Sequence, residues 1–485
     1  MVHSESKGKM MYVHILIGLF LMFIGGHVVS PIYPLTEVGM QILGVFFGVV
    51  WLWCFVGFLW PSLLALVAFG LTDFGSFGQV LTMSFGHSVP VLLLFSMILF
   101  GSPQHVGATK YITRWFLTRQ VFNGKPIVFA FVFFFATYAL SVAVNVTPAL
   151  ILMWTVLYGV LNDLGYKKGD KFTSLMVVGT FLGAISGQAS LPFSGSTLAI
   201  LSVFETAAEM AMPIPQYMLL GFVFTVLVFV AYCGFMKLVL KPAEMDKVAN
   251  VNAEMFNSNP LPPMSWLQKA NFYGMLSFVF LMLLPTFLPD DFAVAELLDG
   301  LGPTGVAILL TGIMCLVKVE GKPVLDFGAV AKDSVSWDIF VMVAAAMAIA
   351  SALTNEATGV VDGMLVLFEP VLGGHSAIMF FAIMLLFGIF VTSFASSMVI
   401  GIAIMPVLVA FGTVAGANLA AVAATTTLLI HYSIILPSAS VFAAMLWSNE
   451  EWIERREVFK YGAVIVVLAV VIAMVVIMPL AGWLF

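Results

Sequence analysis

The feature that most constrains this chain is a series of segments that are apolar on every face. Val91–Phe100 contains one serine, and Ile127–Ala136 and Ala463–Met478 contain no polar residue at all. Across the chain 62% of residues are hydrophobic and 9% are charged, whereas a soluble domain carries about 25% charged residues. An aqueous fold cannot bury this much apolar surface. The sequence therefore predicts that the lipid bilayer is the solvent for most of the chain.

Backbone hydrogen bonds in lipid must be satisfied internally, which leaves helices or a closed barrel as spanning structures. Barrel strands alternate apolar and polar residues, and these segments do not alternate. We therefore predict an all-α polytopic membrane protein. Met11–Ile24 follows Lys7 and Lys9 as in a signal peptide, but no small-residue cleavage site comes after it. We interpret it as a retained first helix.

The basic residues predict the topology. All 19 fall into six groups, and each interval between groups has room for an even number of crossings, at about 20 residues per crossing. Cytoplasmic loops collect Lys and Arg, so all six groups are assigned to the cytoplasm. The prediction is a cell-membrane protein with about eleven crossings and two hairpins, a cytoplasmic N-terminus and an extracytoplasmic Phe485. The groups are residues 7–9, 110–125, 167–171, 237–269, 318–332 and 455–460.

Two parts of the chain share one order of features, which predicts an inverted repeat. Each has an apolar helix, a hairpin with a Ser/Thr/Asn cluster, a helix with a Pro- and Ser-containing break, and a final helix. The predicted breaks are Gly187–Thr197 and Ser433–Ser440. The first copy enters its hairpin from the cytoplasm and the second from outside. Such repeats are typical of secondary transporters, which bind substrate near the bilayer midplane.

This repeat predicts the division of the chain. The predicted parts are N-terminal scaffold helices at 1–85, a first repeat at 86–240, a cytoplasmic linker at 241–270, further scaffold helices at 271–335 and a second repeat at 336–485. The elements expected within the repeats are a hairpin at 126–164, a broken helix at 173–205 and a helix at 215–238, then a hairpin at 376–412, a broken helix at 419–446 and a final helix at 461–485. We expect re-entrant hairpins, and pairs of full spans fit the charges equally well.

The polar clusters predict where ligands bind. Side-chain oxygens and freed carbonyls at a helix break suit a dehydrated Na⁺, and helix N-termini suit a carboxylate or sulfate. The alternative is that small polar residues hydrogen-bond between transmembrane helices. Packing is the better interpretation of one isolated serine, but clusters at repeat-related positions favour ligand binding.

His431 and Gln188 lie at the two predicted breaks. An ionisable residue inside the membrane is a functional candidate, and histidine titrates near neutral pH. Hydrogen bonding between helices is the alternative for both residues. We keep both as candidates for proton or substrate contact.

Other classes of function lack a sequence signal. Cys54, Cys233 and Cys315 lie far apart in apolar segments, which predicts neither a disulfide framework nor a metal cluster. The sequence has no HExxH motif, intramembrane carboxylate pair or nucleic-acid signature. We expect no enzyme activity, no cofactor, no nucleic-acid partner and no metal other than Na⁺ as a coupling ion.

In these features the chain resembles the divalent anion/sodium symporter family of the ion transporter superfamily. The resemblance extends from Leu35-Thr-Glu-Val-Gly-Met to Arg456-Glu-Val-Phe-Lys-Tyr-Gly and rests on the order and spacing of segments. It implies two re-entrant hairpins tipped by Ser-Asn-Thr, and two broken helices with Thr-Pro-Pro. It also implies a homodimer in which a transport domain moves like an elevator against a scaffold.

The resemblance implies binding residues at matching positions. The Ser-Asn-Thr motifs fall on residues 144–146 and 396–398, where Val144, Val146 and Met398 lack side-chain oxygens, and neither Thr-Pro-Pro is present. The implied sodium ligands are Ser141, Asn145, Val146 and the Ser194 carbonyl, and then Thr392, Ala395, Ser397 and the Ala439 carbonyl. The expected substrate contacts are Asn145, Thr147, Gly195, Ser396, Ser397 and Ser440, with Thr147 supplying a displaced hydroxyl.

The sequence therefore predicts a secondary active transporter of small anions, with di- or tricarboxylates as the expected substrates and Na⁺ as the expected coupling ion. A proton-coupled carrier, an exchanger of another anion such as sulfate, and an uncoupled channel are the alternatives. The expected partners are the anion, the bilayer and a second copy of the chain.

Overall fold

The chain forms an almost entirely helical structure. Among the described residues of the computed structural model, ten helices are long and apolar enough to cross a membrane, or up to eleven if a bent pair counts as one span. A single two-stranded antiparallel ribbon is present in this part of the chain, formed by β1 (Lys318–Val319) and β2 (Lys322–Pro323). The prediction of an all-α polytopic membrane protein is confirmed. The described residues are 2–118, 124–242, 245–248, 261–289, 292–372 and 376–485.

The N-terminal part folds as four apolar helices with short connecting helices. Its helices are α1 (Val2–Phe20), which continues through a π-helical turn (Leu21–Gly25) into α2 (Gly26–Val28), then α3 (Glu37–Phe55), α4 (Leu59–Gly70), α5 (Phe77–Met83), α6 (Ser88–His105) and α7 (Thr109–Leu117). Thr36 caps α3 by accepting a hydrogen bond from Gly39 N at 3.0 Å. Four of these helices fill the interval between the first two basic groups, where the charge pattern predicts four crossings.

The predicted first repeat begins at α6, and its remaining part follows α7 as five helices. They are α8 (Pro126–Val144), α9 (Val146–Asp163), α10 (Lys171–Ser190), α11 (Gly195–Ala208) and α12 (Ile214–Phe235), which ends in a π-helical turn (Met236–Leu240). The hairpin of α8 and α9 turns at Asn145 alone. The break between α10 and α11 is shorter than the predicted Gly187–Thr197, because α10 stays helical through Gln188 to Ser190.

A glycine stripe holds α10 against the first hairpin. Gly179, Gly183 and Gly187 recur at intervals of four residues, which places them on one face of α10. A Cβ atom on Gly183 would lie 2.5 Å from the Phe134 carbonyl oxygen, and one on Gly187 would lie 2.7 Å from the Tyr138 carbonyl oxygen. Small residues of this kind let membrane helices approach at backbone distance. The first hairpin therefore packs directly against α10, the first half of the broken helix.

The middle of the chain connects the repeats. Its elements are α13 (Met245–Val248), α14 (Trp266–Leu283), a 3₁₀ turn (Leu284–Phe287), α15 (Ala293–Leu316), the ribbon of β1 and β2, and α16 (Phe327–Ser334). Ser265 and Gln268 form a capping box that starts α14. Residues 243–244 and 249–260 of the predicted linker 241–270 lie outside the described residues.

The second repeat shows the same order of elements. They are α17 (Trp337–Leu353), a 3₁₀ turn (Glu356–Thr358), α18 (Val360–Leu372), α19 (Ala377–Thr392), α20 (Ser397–Val414), α21 (Leu419–Ile430), a 3₁₀ turn (Pro437–Ala439), α22 (Val441–Trp447), α23 (Arg455–Ile472), a π-helical turn (Ala473–Ile477) and α24 (Met478–Leu484). Helices α16 and α17 meet at a bend of 80°. Here the hairpin is α19 and α20, and the broken helix is α21 and α22.

The two repeats interlock at the helix breaks. Helix α10 packs against α8 and α9, the hairpin of its own repeat. Helix α11 instead packs against α20 and α17 of the other repeat. Helix α21 packs against α19 and α20 and also contacts α10, α11 and α12. The hairpin tips and the helix breaks are consequently brought together.

Candidate functional site

A cavity of about 530 Å³ lies where the hairpin tips and helix breaks meet. Both hairpins and both broken helices contribute to its wall, together with α6 and the bend between α16 and α17. Most of the residues singled out from the sequence line it. They are Ser141, Asn145, Val146, Thr147, Gln188, Ser194, Gly195, Ser396, Ser397, His431 and Ser440.

Three predicted sodium ligands lie outside the cavity wall, namely Thr392, Ala395 and Ala439. Thr392 is fully buried, and its hydroxyl donates to the Gly388 carbonyl at 2.8 Å. The Ser433 hydroxyl lies 2.6 Å from the Thr392 hydroxyl, so this side chain links the second hairpin to the second break. Ala395 and Ala439 can offer only backbone carbonyls.

Four helices begin at the cavity. Helices α9, α11, α20 and α22 follow Asn145, Ser194, Ser396 and Ser440, and all four of these residues line the cavity. The first turn of a helix has unpaired N–H groups and a partial positive charge. The convergence of several such ends places partial positive charge at the cavity wall without a lysine or arginine among the described lining residues.

The first turns of α11 and α20 remain open to a ligand. Neither Ser194 nor Ser396 caps its helix with its side chain. The Ser194 hydroxyl lies 2.9 Å from the Gln188 carbonyl oxygen instead. By contrast, Ser440 accepts a hydrogen bond from Ala443 N at 3.0 Å, and so caps the short helix α22 itself. The available N–H donors therefore belong mainly to α11 and α20.

Asn145 has an unusual backbone conformation. Its φ is 106° and its ψ is 160° at the tip of the first hairpin, a region that residues with a Cβ rarely adopt. Its side-chain oxygen accepts a hydrogen bond from Val146 N at 2.7 Å, while the side chain is exposed to the cavity. Strain of this kind persists where the surrounding packing imposes it, and it clusters at ligand sites.

The first set of implied sodium ligands already has protein partners. Ser141 Oγ donates to the Ala184 carbonyl at 2.7 Å, and the Ser194 carbonyl accepts from Leu198 N at 2.8 Å. Oxygen atoms retain further lone pairs after one such bond. These two oxygens and Asn145 Oδ1 can therefore still contact a cation, while Val146 contributes only its carbonyl.

The charged groups of the cavity are few. The described residues that line it include Asp333, Asp338 and His431 but neither lysine nor arginine. Asp333 Oδ2 lies 2.9 Å from His105 Nδ1 at the cavity mouth. Among the described lining residues, positive partial charge is therefore supplied by the helix N-termini.

His431 and Gln188 join the two breaks in one hydrogen-bonded network. His431 Nε2 lies 3.0 Å from Ser196 Oγ, and its Nδ1 lies 2.7 Å from the Thr427 carbonyl oxygen. Gln188 Nε2 donates to Ser196 Oγ. These side chains therefore form hydrogen bonds between helices and also line the cavity, and their contact with a proton or substrate stays a prediction.

Several lining residues are not predicted by the sequence analysis. They are Ser96 and Gln104 on α6, Ser196 on α11, and Asp333, Ser334 and Asp338 around the bend between α16 and α17. Ser96 hydrogen-bonds to the Leu92 carbonyl of its own helix at 2.7 Å, as an isolated serine in an apolar helix commonly does. Nothing in the sequence marks the 80° bend that turns the acidic residues to the cavity.

A repeated arrangement of helix, hairpin and broken helix around a polar cavity defines a secondary transporter. A family model described as the sodium:sulfate symporter transmembrane region matches residues 35–485. The chain belongs to this family, which confirms the resemblance found from the sequence and the prediction of a transport protein that is not an enzyme.

Comparison with other proteins adds support for the fold. No curated protein matches the sequence. The structure is similar to that of MtrF of Neisseria gonorrhoeae, described as illuminating a class of antimetabolite efflux pumps. The TM-score is 0.55 at 13% sequence identity, and the match covers 97% of this chain and 94% of MtrF. At this identity the similarity concerns the fold alone.

Proposed function

We propose that this secondary transporter carries small anions, with di- and tricarboxylates as its substrates. The observation that carries the proposal is the convergence of helix N-termini on a cavity whose described lining contains no lysine or arginine. Helix N-termini bind carboxylates, sulfates and phosphates. A carrier must also release its substrate, and partial charges hold an anion less tightly than a fixed guanidinium.

Sulfate is the second candidate substrate, and the description of the family model favours it. The cavity volume of about 530 Å³ lies within the range of about 300–1,000 Å³ common for small-molecule sites. This volume admits a carboxylate with a carbon skeleton as well as a bare oxyanion.

Na⁺ is the proposed coupling ion. The family description supports it, as do the oxygens of Ser141, Asn145 and Ser397 in the cavity wall. Hard cations such as Na⁺ bind oxygen ligands. Bound near the N-termini of α9 and α20, Na⁺ would add positive charge beside the anion, which explains why the two would bind together.

An elevator-type movement fits the packing. Helices α8–α12 and α19–α24 pack among themselves around the cavity, whereas α1–α5 pack with one another and against α17, and α14, α15 and α16 each pack against α6. We propose that residues 1–85 and 271–335 belong to the scaffold and that the hairpins and broken helices move against it. A homodimer would hold two scaffolds together.

The cavity mouth indicates the conformational state. Gln104, Asp333 and Asp338 are exposed and lie beside the basic segments that the charge pattern assigns to the cytoplasm. With that topology we propose an inward-facing state, and the arrival of both hairpin tips at this one cavity supports re-entrant hairpins over pairs of full spans.

A thermal-shift screen tests the proposed substrate and coupling ion. We expect succinate, citrate or sulfate to raise the melting temperature of the detergent-purified protein, and the rise to be larger in Na⁺ than in choline. At about 100 times the Kd, binding stabilises a protein by about 2.7 kcal/mol. Chloride is the control anion. If none of the three anions stabilises the protein in either salt, the proposal is wrong.

Uptake by proteoliposomes separates a carrier from a channel. A coupled carrier accumulates labelled succinate above the external concentration when a Na⁺ gradient is imposed. Uptake that stops at equal concentrations on both sides would instead identify an uncoupled channel or facilitator.

The proposed topology predicts which positions face the cell exterior. Met210 and Lys322 are both exposed and lie on opposite predicted sides of the membrane. In a variant lacking Cys54, Cys233 and Cys315, we expect a membrane-impermeant maleimide to label Met210→Cys in intact cells. Lys322→Cys should react only after permeabilisation. The opposite labelling pattern would invert the topology, and the cavity would then face outside.

A further inference from the structure

We propose that His431 is a proton-binding site that controls anion binding through the Ser196 hydroxyl. The inference rests on the proposed function, because it assigns a second coupling ion to the same cavity. Among the described residues that line this cavity, His431 is the one side chain that can gain a positive charge. Its imidazole is buried between the two broken helices.

The hydrogen bonds of His431 define its neutral tautomer. Nδ1 lies 2.7 Å from the Thr427 carbonyl oxygen, and a carbonyl can only accept, so Nδ1 carries the hydrogen. Nε2 of the neutral ring is therefore an acceptor. The hydroxyl oxygens of Ser196 and Thr197 lie 3.0 and 3.4 Å from it.

Ser196 is the group that donates to Nε2. The Thr197 hydroxyl donates to the Gln188 carbonyl at 2.9 Å and so has no second hydrogen to give. Ser196 Oγ accepts from Gln188 Nε2 and can donate its own hydrogen to the ring. With neutral His431, this chain of donors runs from Gln188 through Ser196 to the imidazole, and the Ser196 hydrogen is not available to an anion.

Protonation reverses one of these hydrogen bonds. A proton from water in the cavity adds to Nε2, which then donates to Ser196 Oγ. A hydroxyl oxygen can accept two hydrogen bonds while donating one, so Ser196 now accepts from both Gln188 and His431. Its own hydrogen becomes free to donate to an anion in the first turn of α11. The cavity gains one donor and one positive charge together.

Few other titratable groups lie on the helices that pack against α21. In the described parts of these helices, α19, α20 and α24 carry none, and the groups on α10, α11 and α12 are Lys171, Glu205, Tyr217, Tyr232 and Cys233. Glu205 lies nine residues along α11 from Ser196, which is about 13 Å. Tyr217 donates to the Ala189 carbonyl at 2.7 Å. Tyr432 follows His431 directly, and its hydroxyl lies 3.0 Å from Ser186 Oγ.

Among the described residues, the other charged side chains that line the cavity are two aspartates. Asp333 and Asp338 line its mouth, and Asp333 is already paired with His105. None of the groups named here lies within hydrogen-bonding distance of His431. The proton site is therefore set by Ser196, Thr427 and the bound anion.

The experiment measures anion affinity and proton uptake by the purified full-length protein in nanodiscs. Sulfate and succinate are the probes, and the pH series runs from about pH 8 down to about pH 4 so that it includes the titration of a buried histidine. Sulfate keeps its charge throughout this series. If one proton binds with the anion, affinity rises by up to about tenfold per unit fall in pH. We expect the wild type to show this rise and to take up a proton when sulfate or succinate is added. His431→Gln should lose both.

Ser196→Ala separates the relay from a structural role. The hydroxyl reaches the anion only when His431 is protonated, so the variant should lose about tenfold or more in affinity at the acidic end of the pH series and little at about pH 8. An equal loss at both pH values would indicate a structural role. Ser202→Ala is the matched control on α11, because that hydroxyl donates to the Leu198 carbonyl and should leave affinity unchanged.

The outcomes distinguish the two proposals. If His431→Gln keeps its melting temperature and binds anions with the pH dependence of the wild type, the proton site is wrong and the proposed function stands. If His431→Gln does not fold, the pH profile of Ser196→Ala tests the proton site instead. A loss of affinity confined to acidic pH supports the site, and an equal loss at both pH values contradicts it. If the wild type binds neither sulfate nor succinate at any pH, the proposed function fails, and this inference fails with it.

Discussion

Replacing Gly183 with valine is expected to prevent the first hairpin from packing against α10. A Cβ atom at this position would lie 2.5 Å from the Phe134 carbonyl oxygen and 3.0 Å from Thr137 Cβ. A backbone carbonyl cannot rotate away as a side chain can, so the helices must separate along the whole glycine stripe. We expect a loss near the upper end of the about 1–3 kcal/mol typical of overpacking.

The measurement is the thermal unfolding of the detergent-purified variant, followed by size-exclusion chromatography. Gly159→Val is the matched control, because Gly159 is exposed and no neighbouring atom lies within 4 Å of its added Cβ. Since glycine is a poorer helix former than valine, the control should unfold no earlier than the wild type. Equal melting temperatures for the two variants would show that α10 does not approach the hairpin at backbone distance.

Loss of the Asn145 side chain is expected to abolish ligand-induced stabilisation. Its amide lies exposed in the cavity at the start of α9, and Ser397 lies buried in the wall at the start of α20. At about 100 times the wild-type Kd, the anion stabilises the wild type by about 2.7 kcal/mol. A variant that binds about 100-fold more weakly gains only about 0.4 kcal/mol. We expect Asn145→Gly and Ser397→Ala each to show this loss.

Glycine is the informative replacement at position 145 because it accepts the φ of 106° without strain. Asn145→Gly should therefore keep the melting temperature of the ligand-free protein while losing its response to the anion. Thr155→Val and Thr413→Val are the controls, since these hydroxyls are exposed on the same hairpin helices and bond to Ile151 and Val409 carbonyls. Undiminished stabilisation by the anion in both site variants would remove these residues from the site.

Much of the architecture follows from patterns that are local in sequence. The apolar segments predict membrane helices because each turn of helix must face lipid or another helix. The order of Asn145, Pro192, Ser396 and Pro437 marks hairpin tips and helix breaks, because these residue types tolerate or favour interrupted helices. Asn145 and Ser396 do lie at the starts of α9 and α20, and the segments with Pro192 and Pro437 do separate the half-helices.

The sequence predicts individual ligand residues less well. Thr392 matches a family position, yet its hydroxyl is fully buried and bonds to Ser433 and its own helix. Ser196 lies beside predicted residues but carries no sequence signal of its own, although it joins Gln188 to His431. A helix break identifies a neighbourhood, but the rotation of each half-helix decides which side chains face the cavity.

By itself the sequence determined that this is an all-α membrane protein, that it contains two copies of one pattern and that it belongs to a family of symporters. Those properties depend on hydropathy and residue order, and both can be determined from each segment of the sequence without knowing its tertiary contacts. Only the tertiary structure placed Gln188, Ser196 and His431 in contact and turned Asp333 toward the same cavity as Asn145. The contact between Ser196 and His431 joins positions that are far apart in sequence, and it depends on how α11 crosses into the second repeat. Such crossing is set by close packing over many side chains and leaves no local signal.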